Sequence, residues 1–351
     1  MLWIEKYRPR SFSEITTHLE TVEALQSYTL ESLPNLIIHG QTGHNKRTML
    51  YSLISHLYGK YPEPKTKVIE IEAGSTKLSV SYLESEEMVE ISLTEYGYKD
   101  RFIVQSIIKE IAQNKPIFSL FGVKKRSIKL LVIDQAEDLS KDAQAALRRT
   151  IEVYSSHFRI VMLCSETSKL IDPIKSRCLM VRMRGFTDDE IRKVLHQTLK
   201  KENFSISDSI INDICINSNG DCKRALCLLE LYCFNNDENQ SKKIKADYSN
   251  FKLEWESKID SIINLIKSKP KPETMVEIRK ELYVLLGSNI PPSVILAYLL
   301  RGITFKASLE SCKAISEFAL GYEERIRIGS KPIYHLEAFS ASCMLALNQK
   351  R

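Results

Sequence analysis

The chain has 351 residues, 43% apolar and 27% charged, the proportions of an ordinary globular protein long enough for two or three domains. No run nears the ~18 uninterrupted apolar residues of a membrane span, and the opening MLWIEKYRPR lacks a signal peptide's apolar core, so an intracellular protein is expected. A net charge of +6 permits a nucleic-acid partner through a local basic face without demanding one.

At the N-terminus, LWIEKYRPRSFSEI (2–15) sets Trp3 and Tyr7 among Lys6, Arg8 and Arg10. It reads equally as an amphipathic arm packed on the core and as a contact to a nucleotide base. LPNLIIHG (33–40) reads as a strand entering a glycine turn, and TMLYSLISHLYG (48–59) as the helix after it. KVIEIEA (67–73) alternates like a strand, whereas the acidic ESEEMVE (84–90) reads as a solvated segment. DRFIVQSIIKEIAQ (100–113) sets Ile103, Ile107, Ile108 and Ile111 on one helical face. A strand at 128–134, the helix KDAQAALRRTIEVY (141–154), and strands at 159–165 and 179–185 complete an alternating series. Such alternation predicts a parallel sheet covered on both faces.

From residue 186 the pattern is helical. Thr187 and Glu190 form a capping box opening a helix over 186–202, and further helices fit 207–217 and 221–234. A polar stretch, 235–250, reads as a linker, and 251–349 is helical throughout. The expected division is therefore 1–183 α/β, 184–240 helical and 250–351 all-α. Cys222, Cys227 and Cys233 cluster loosely, but spacings of five and six without a nearby His suit no common zinc pattern. No metal site is assigned; buried free thiols in a reducing compartment are expected.

Three motifs carry chemistry. The turn GQTGHNKRT (40–48) approximates the phosphate loop G-x-x-x-x-G-K-[ST]. Gly40, Gly43 and Lys46 fit; Asn45 stands where a glycine belongs, Arg47 where a hydroxyl should bind magnesium, and Thr48 is one residue late. Asn tolerates left-handed backbone, so a nest of N–H groups can survive, but the lost hydroxyl removes a metal ligand outright. The strand LLVIDQ (130–135) keeps the magnesium aspartate, Asp134, and replaces the catalytic glutamate by Gln135. Gln cannot accept a proton, so about 10²–10⁴-fold of general-base help is unavailable. An active motor would need another carboxylate, such as Glu137. The third motif, IDPIKSRC (171–178), reads either as a surface turn with two cations or as a platform aiming Arg177 at a neighbouring subunit's ATP.

These residues together resemble a small subunit of replication factor C, the AAA+ sliding-clamp loader. The resemblance rests on W-x-x-K-Y-R-P at the start, the loop at 40–48, DQAE (134–137), KDAQAALRRTIE, Ser176-Arg177-Cys178 and GDCKRALCLLE (220–230). ELYVLLGSNIPPSVIL (281–296) and IGSKPIYHLEAF (328–339) extend it to the small subunit at the end of the five-subunit arc. The resemblance implies an AAA+ P-loop module with a parallel sheet, a helical lid and an all-α collar that supplies oligomer contacts. It implies a degenerate nucleotide pocket built from Trp3, Tyr7, Arg8, Gly40, Gly43, Asn45, Lys46, Arg47, Thr48 and Lys223, the last standing for the lid's sensor arginine. Asp134, Gln135 and Ser165, the last replacing a sensor asparagine, are its weakened magnesium and hydrolysis positions. The pocket either holds ATP or ADP weakly or structurally, without magnesium, or is empty. Arg177 is implied as an arginine finger in trans. Arg148 and Arg149 are open between a structural and a catalytic role. Arg101 and Lys141 are candidates for the template backbone, and 80–98 for clamp contact. Implied partners are the other subunits of the heteropentamer, the PCNA clamp, primer–template DNA and the alternative large subunits of checkpoint and cohesion loaders, in the nucleus and with no membrane.

Overall fold

The computed structural model describes residues 1–73, 76–94, 96, 99–113, 128–154, 158–236, 253–268, 270–305 and 307–348. They form two compact units, Met1–Asp247 and Tyr248–Arg351.

The first unit is built on a seven-stranded sheet in the order β2-β3-β4-β5-β6-β1-β7. Its strands are β1 (Leu36–His39), β2 (Lys65–Ala73), β3 (Thr76–Glu84), β4 (Met88–Ser92), β5 (Lys129–Asp134), β6 (Phe158–Cys164) and β7 (Leu179–Arg182). Five of them, β4-β5-β6-β1-β7, are parallel. Because successive side chains face opposite ways, their apolar runs feed two cores. Ile37, Leu131, Ile133, Ile160 and Met162 pack with Ile103 and Ile108 of α4 (Asp100–Gln113) and with Ala143, Leu147 and Ile151 of α5 (Lys141–Tyr154). Leu36, Ile38, Leu130, Val132, Val161 and Leu163 pack with α2 (Leu19–Gln26) and α3 (Lys46–Tyr58). The predicted burial of Ile103 and Ile108 holds; the side chains of Ile107 and Ile111 lie outside the described residues.

The sheet is mixed rather than wholly parallel. β2 and β3 form a nine-residue antiparallel ladder from Lys65↔Glu84 to Ala73↔Thr76, and β3 returns antiparallel to β4. TKLSVSYLE carries the period-2 signal of a strand, Leu78, Val80 and Tyr82 alternating with Lys77, Ser79 and Ser81. The reading of 84–90 as solvated is also corrected. Met88, Val89 and Ile91 are core residues, and Glu90 is only 2% exposed. Acidic side chains masked a strand whose apolar members, not its charges, decide its position.

Three helices follow the sheet: α7 (Asp188–Glu202), α8 (Asp208–Ser218) and α9 (Cys222–Asn236). Thr187 caps α7, its hydroxyl accepting from the Glu190 N–H while the Glu190 carboxylate accepts from the Thr187 N–H. Arg184 grips the same carboxylate at 2.7 and 2.8 Å, and its hydrogen bonds are the main reason that the Glu190 carboxyl is pulled down to about 2. A depressed carboxylate stabilises the fold above its ordinary value of 4.5 and loses that contribution as pH falls towards 2. Acid titration of unfolding should therefore cost about 1–2 kcal/mol across that window, discounted for the half-exposed Arg184. Glu190→Gln should remove that part of the acid sensitivity, read by urea midpoints at pH 6 and 3.

Residues 237–252, most of the predicted linker, lie outside the described residues. The second unit comprises α10 (Glu254–Lys267), α11 (Pro272–Gly287), α12 (Pro292–Thr304), α13 (Leu309–Ile328) and α14 (Pro332–Asn348) around a core of Ile262, Ile278, Leu282, Leu299, Ile315 and Phe339. It nevertheless leaves Phe305, Leu309, Leu320, Ile328 and Tyr334 exposed. No helix among the described residues is long and apolar enough to cross a membrane.

Candidate nucleotide pocket and the arginine face

A cavity of about 690 Å³ opens in the first unit, within the range that holds a nucleotide-sized ligand. Its walls come from the N-terminal arm, the turn between β1 and α3, the end of β5, Ser165 after β6, and helices α7 and α9. The turn is built as its glycines require. A Cβ on Gly40 would come within 2.3 Å of the Met183 carbonyl, and one on Gly43, at φ +83, would meet the Asp221 carboxylate at 1.9 Å. Asn45 takes left-handed backbone, φ 57, and heads α3, so the position that lost its glycine keeps the glycine's conformation. Helix α3 begins two residues earlier than the apolar pattern places it, which puts Lys46 and Arg47 in its first turn.

Lys46 turns back on the loop, its ammonium donating to the Gly40 carbonyl and to Gln41 O at 3.2 Å. Burial lowers its pKa, partly offset by Glu137. Arg47 does something the motif does not predict. Its Nη2 donates to Glu90 and to Asp134 Oδ2 at 3.0 Å. Tyr51 donates its hydroxyl to the other Glu90 oxygen at 2.7 Å. The guanidinium thus bridges the would-be magnesium aspartate and a buried carboxylate. Burial opposes its charge, but Glu90 and Asp134 outweigh that and raise its pKa. A divalent ion does not fit here: position 47 offers no oxygen, and the carboxylate that would bind it is already paired with an internal cation.

Gln135, also left-handed at φ 53, accepts from Thr94 Oγ1 at 3.1 Å and Ser92 Oγ at 3.5 Å. Glu137 lines the cavity; its Oε1 accepts from the Ser165 N–H at 3.0 Å, and its buried Oε2 has no partner among the described residues. Thr48 is buried in the wall, and Lys223 lines the cavity from α9.

Of the arm residues, Tyr7 and Arg8 line the cavity and Trp3 does not. The backbone N–H of Trp3 donates to both Glu230 oxygens at 3.2 Å, and its ring tilts against Phe204 at 6.2 Å. Of the two readings of the arm, the position of Trp3 matches the packed one, its apolar partner Phe204 lying in the helical part of the unit. Tyr7 is anchored through its hydroxyl to Glu202 at 2.5 Å. Gly40 shapes the turn from beneath without lining the cavity. His18 and Phe186 were not foreseen: both line the cavity, stacked edge to face at 5.0 Å, and burial lowers the His18 pKa.

Arg177 lies away from this cavity. It follows a single-turn helix, α6 (Asp172–Lys175), pinned by the fully buried Ile174. Gln144, 1% exposed, ties α5 to that segment by donating to Leu139 O and Lys169 O and accepting from Ile171 N at 2.9 Å. Nearby, Arg148 and Arg149 line a separate cavity of about 310 Å³ with Ala145, Glu152, Ile171 and Pro173. The two backbone-contact candidates are also brought together. Buried Asp100 accepts from Arg101 N at 2.7 Å, Ser140 N at 2.6 Å and Ser140 Oγ at 2.8 Å, joining the starts of α4 and α5. Arg101 and Lys141 project exposed from those two starts.

Comparison with known proteins agrees with this architecture. Residues 21–187 match the family model described as DNA polymerase III, delta subunit, and residues 255–351 that of the replication factor C subunit 3 C-terminal domain. Replication factor C subunit 3 of Arabidopsis thaliana is 34% identical over 350 residues, 98% of this chain and 97% of that protein. Subunit 5 of Schizosaccharomyces pombe is 33% identical (98% and 96% covered), and subunit 3 of Homo sapiens 32% (98% and 95%). Among solved structures, the Thermotoga maritima RuvB Holliday junction branch migration motor superposes with a TM-score of 0.51 at 15% identity, covering 79% of this chain and 85% of that one. That likeness speaks for the fold alone, the AAA+ P-loop architecture. With near full-length identity of about a third, this chain belongs to the replication factor C subunit 3/5 family.

Proposed function

We propose that this chain is a non-hydrolysing small subunit of the heteropentameric sliding-clamp loader, acting with PCNA at primer–template junctions in DNA replication and repair in the nucleus. One observation carries the non-hydrolysing part: Arg47 occupies the cation position at Asp134. Hydrolysis in a P-loop needs a metal on the phosphates and a base on the water. Here a guanidinium stands in for the metal, and an amide for the base. The cavity and the turn, whose left-handed backbone Asn45 keeps, still support a nucleotide, ATP or ADP, held without magnesium as a structural element.

The chain contributes outward instead. Arg177, rigidly mounted and remote from its own pocket, is the finger for a neighbour's ATP. Arg101 and Lys141 suit the template backbone, since phosphate contacts require cations but no base reading. The exposed apolar side chains of α13 and α14, Leu309, Leu320, Ile328 and Tyr334, suit contacts with the collar helices of other subunits. Alternative large subunits of checkpoint and cohesion loaders would use the same surfaces.

The purified chain, given ATP, magnesium and primed DNA, should release no phosphate above the buffer blank. A steady release abolished by Glu137→Gln would favour the other reading, a motor whose base is the cavity-lining Glu137.

A further inference from the structure

Glu152, on the last turn of α5, closes the stretch KDAQAALRRTIE without an assigned role, yet it contacts the residue on which the proposed function depends. Its Oε1 accepts from Arg177 Nε at 2.9 Å and lies 2.7 Å from Nη2 as an ion pair. On the other side, the Pro173 carbonyl accepts from Nη1 at 2.8 Å, with the Ser176 hydroxyl at 3.4 Å. Arg148 Nε approaches the same Glu152 oxygen at 3.7 Å.

An ion pair with side chains 31% and 47% exposed contributes little to stability, about 0–1 kcal/mol. Its consequence is geometric. A guanidinium carries five N–H donors in a rigid plane. Bonds from Nε to Glu152 and from Nη1 to the Pro173 carbonyl, with Nη2 against the same Glu152 oxygen, fix that plane. Nη1 is used by Pro173 and Ser176, so the donors left for a phosphoryl group are those of Nη2. The surroundings favour such a group, since Arg148, Arg149 and Arg177 outnumber the single carboxylate.

We propose that Glu152 is a positioning residue for Arg177, holding the guanidinium by its stem-side donors so that its remaining donors meet the phosphates of the adjacent subunit's nucleotide. This inference rests on Arg177 being the finger. Unanchored, a four-bond side chain samples many rotamers, and a misplacement of about 1 Å costs about 10²-fold in rate.

The test is a double-mutant cycle in the reconstituted five-subunit complex, with assembly checked by gel filtration and single-turnover phosphate release measured at the neighbouring site. Glu152→Gln, nearly isosteric and half exposed, should lower kcat there by about 10–10²-fold with the KM for ATP unmoved. In an Arg177→Ala background it should add nothing. Glu152→Ala should behave as Glu152→Gln does. An unchanged or faster rate with Glu152→Gln, while Arg177→Ala is slow, overturns the positioning role and leaves the finger standing. So does a loss that persists in the Arg177→Ala background, because Glu152 would then act by another route. If Arg177→Ala is itself without effect, the finger and its positioning residue fall together.

Discussion

Arg177→Ala in the reconstituted complex is expected to slow hydrolysis at the adjoining subunit's site by about 10³–10⁵-fold, roughly 4–7 kcal/mol of transition-state stabilisation. The size follows from where charge develops. As the γ-phosphoryl separates, negative charge spreads over its oxygens, and a fixed guanidinium meets it in a site largely closed to water. A neutral methyl supplies none of that. The side chain is well placed to act on another molecule. It is mounted on a turn pinned by Ile174 and tied to α5 through Gln144, and it does not line the cavity of its own chain. Single-turnover release of phosphate on primed DNA, with clamp present, isolates the step. One slow phase should appear, belonging to one site, while binding of ATP to the complex weakens far less. An unaltered progress curve would leave the chain a scaffold whose arginine is idle. Arg177→Lys should recover little, since an ammonium keeps the charge but not the planar fork.

The scaffold was readable in the sequence for reasons that do not extend to its polar pairings. Central parallel strands are apolar on both faces, so LIIH, LLVI and IVML could be recognised without knowing their partners, and the helices between them carry a 3.6-residue period. Asn45 could be assigned a left-handed role because few other residues take that conformation readily, and it does so at φ 57. What stayed hidden are long-range polar pairings. Glu90 lies in an acidic stretch that looks solvated, and nothing in its neighbours announces a partner forty-three residues away at Arg47. Glu152 is similar, one of several charges on an amphipathic helix until the turn after β6 brings Arg177 against it. Trp3 was equally ambiguous, because an aromatic near cations suits a base or a groove, and only the fold supplied Phe204. Local propensity and periodicity reach elements; electrostatic partners depend on topology.

Arg47→Thr should convert the pocket from indifferent to magnesium to dependent on it. In the unaltered chain, ADP affinity should be the same within about twofold in magnesium and in EDTA, because Arg47 already supplies the positive charge at Asp134. Threonine would restore a hydroxyl ligand and free the aspartate, so a magnesium–nucleotide complex should bind at least about tenfold more tightly than the metal-free form, or about 1.4 kcal/mol. The substitution has a stability cost that checks the geometry independently. Glu90, 2% exposed, would keep only the Tyr51 hydroxyl and lose its cation. Removing one partner of a buried pair costs about 3–5 kcal/mol, and the 44% exposure of the arginine reduces this to about 2–3. Urea unfolding should register that loss, and Glu90→Gln in the same chain should return most of it by removing the stranded charge. The two readouts separate two causes. A drop in stability without any gain in metal dependence would mean that Arg47 is a structural cation and that Asp134 is withheld from magnesium by something else. Tight, magnesium-dependent binding by the unaltered chain would mean that the guanidinium swings aside for a metal, and the pocket would have to be counted among the working sites of the assembly.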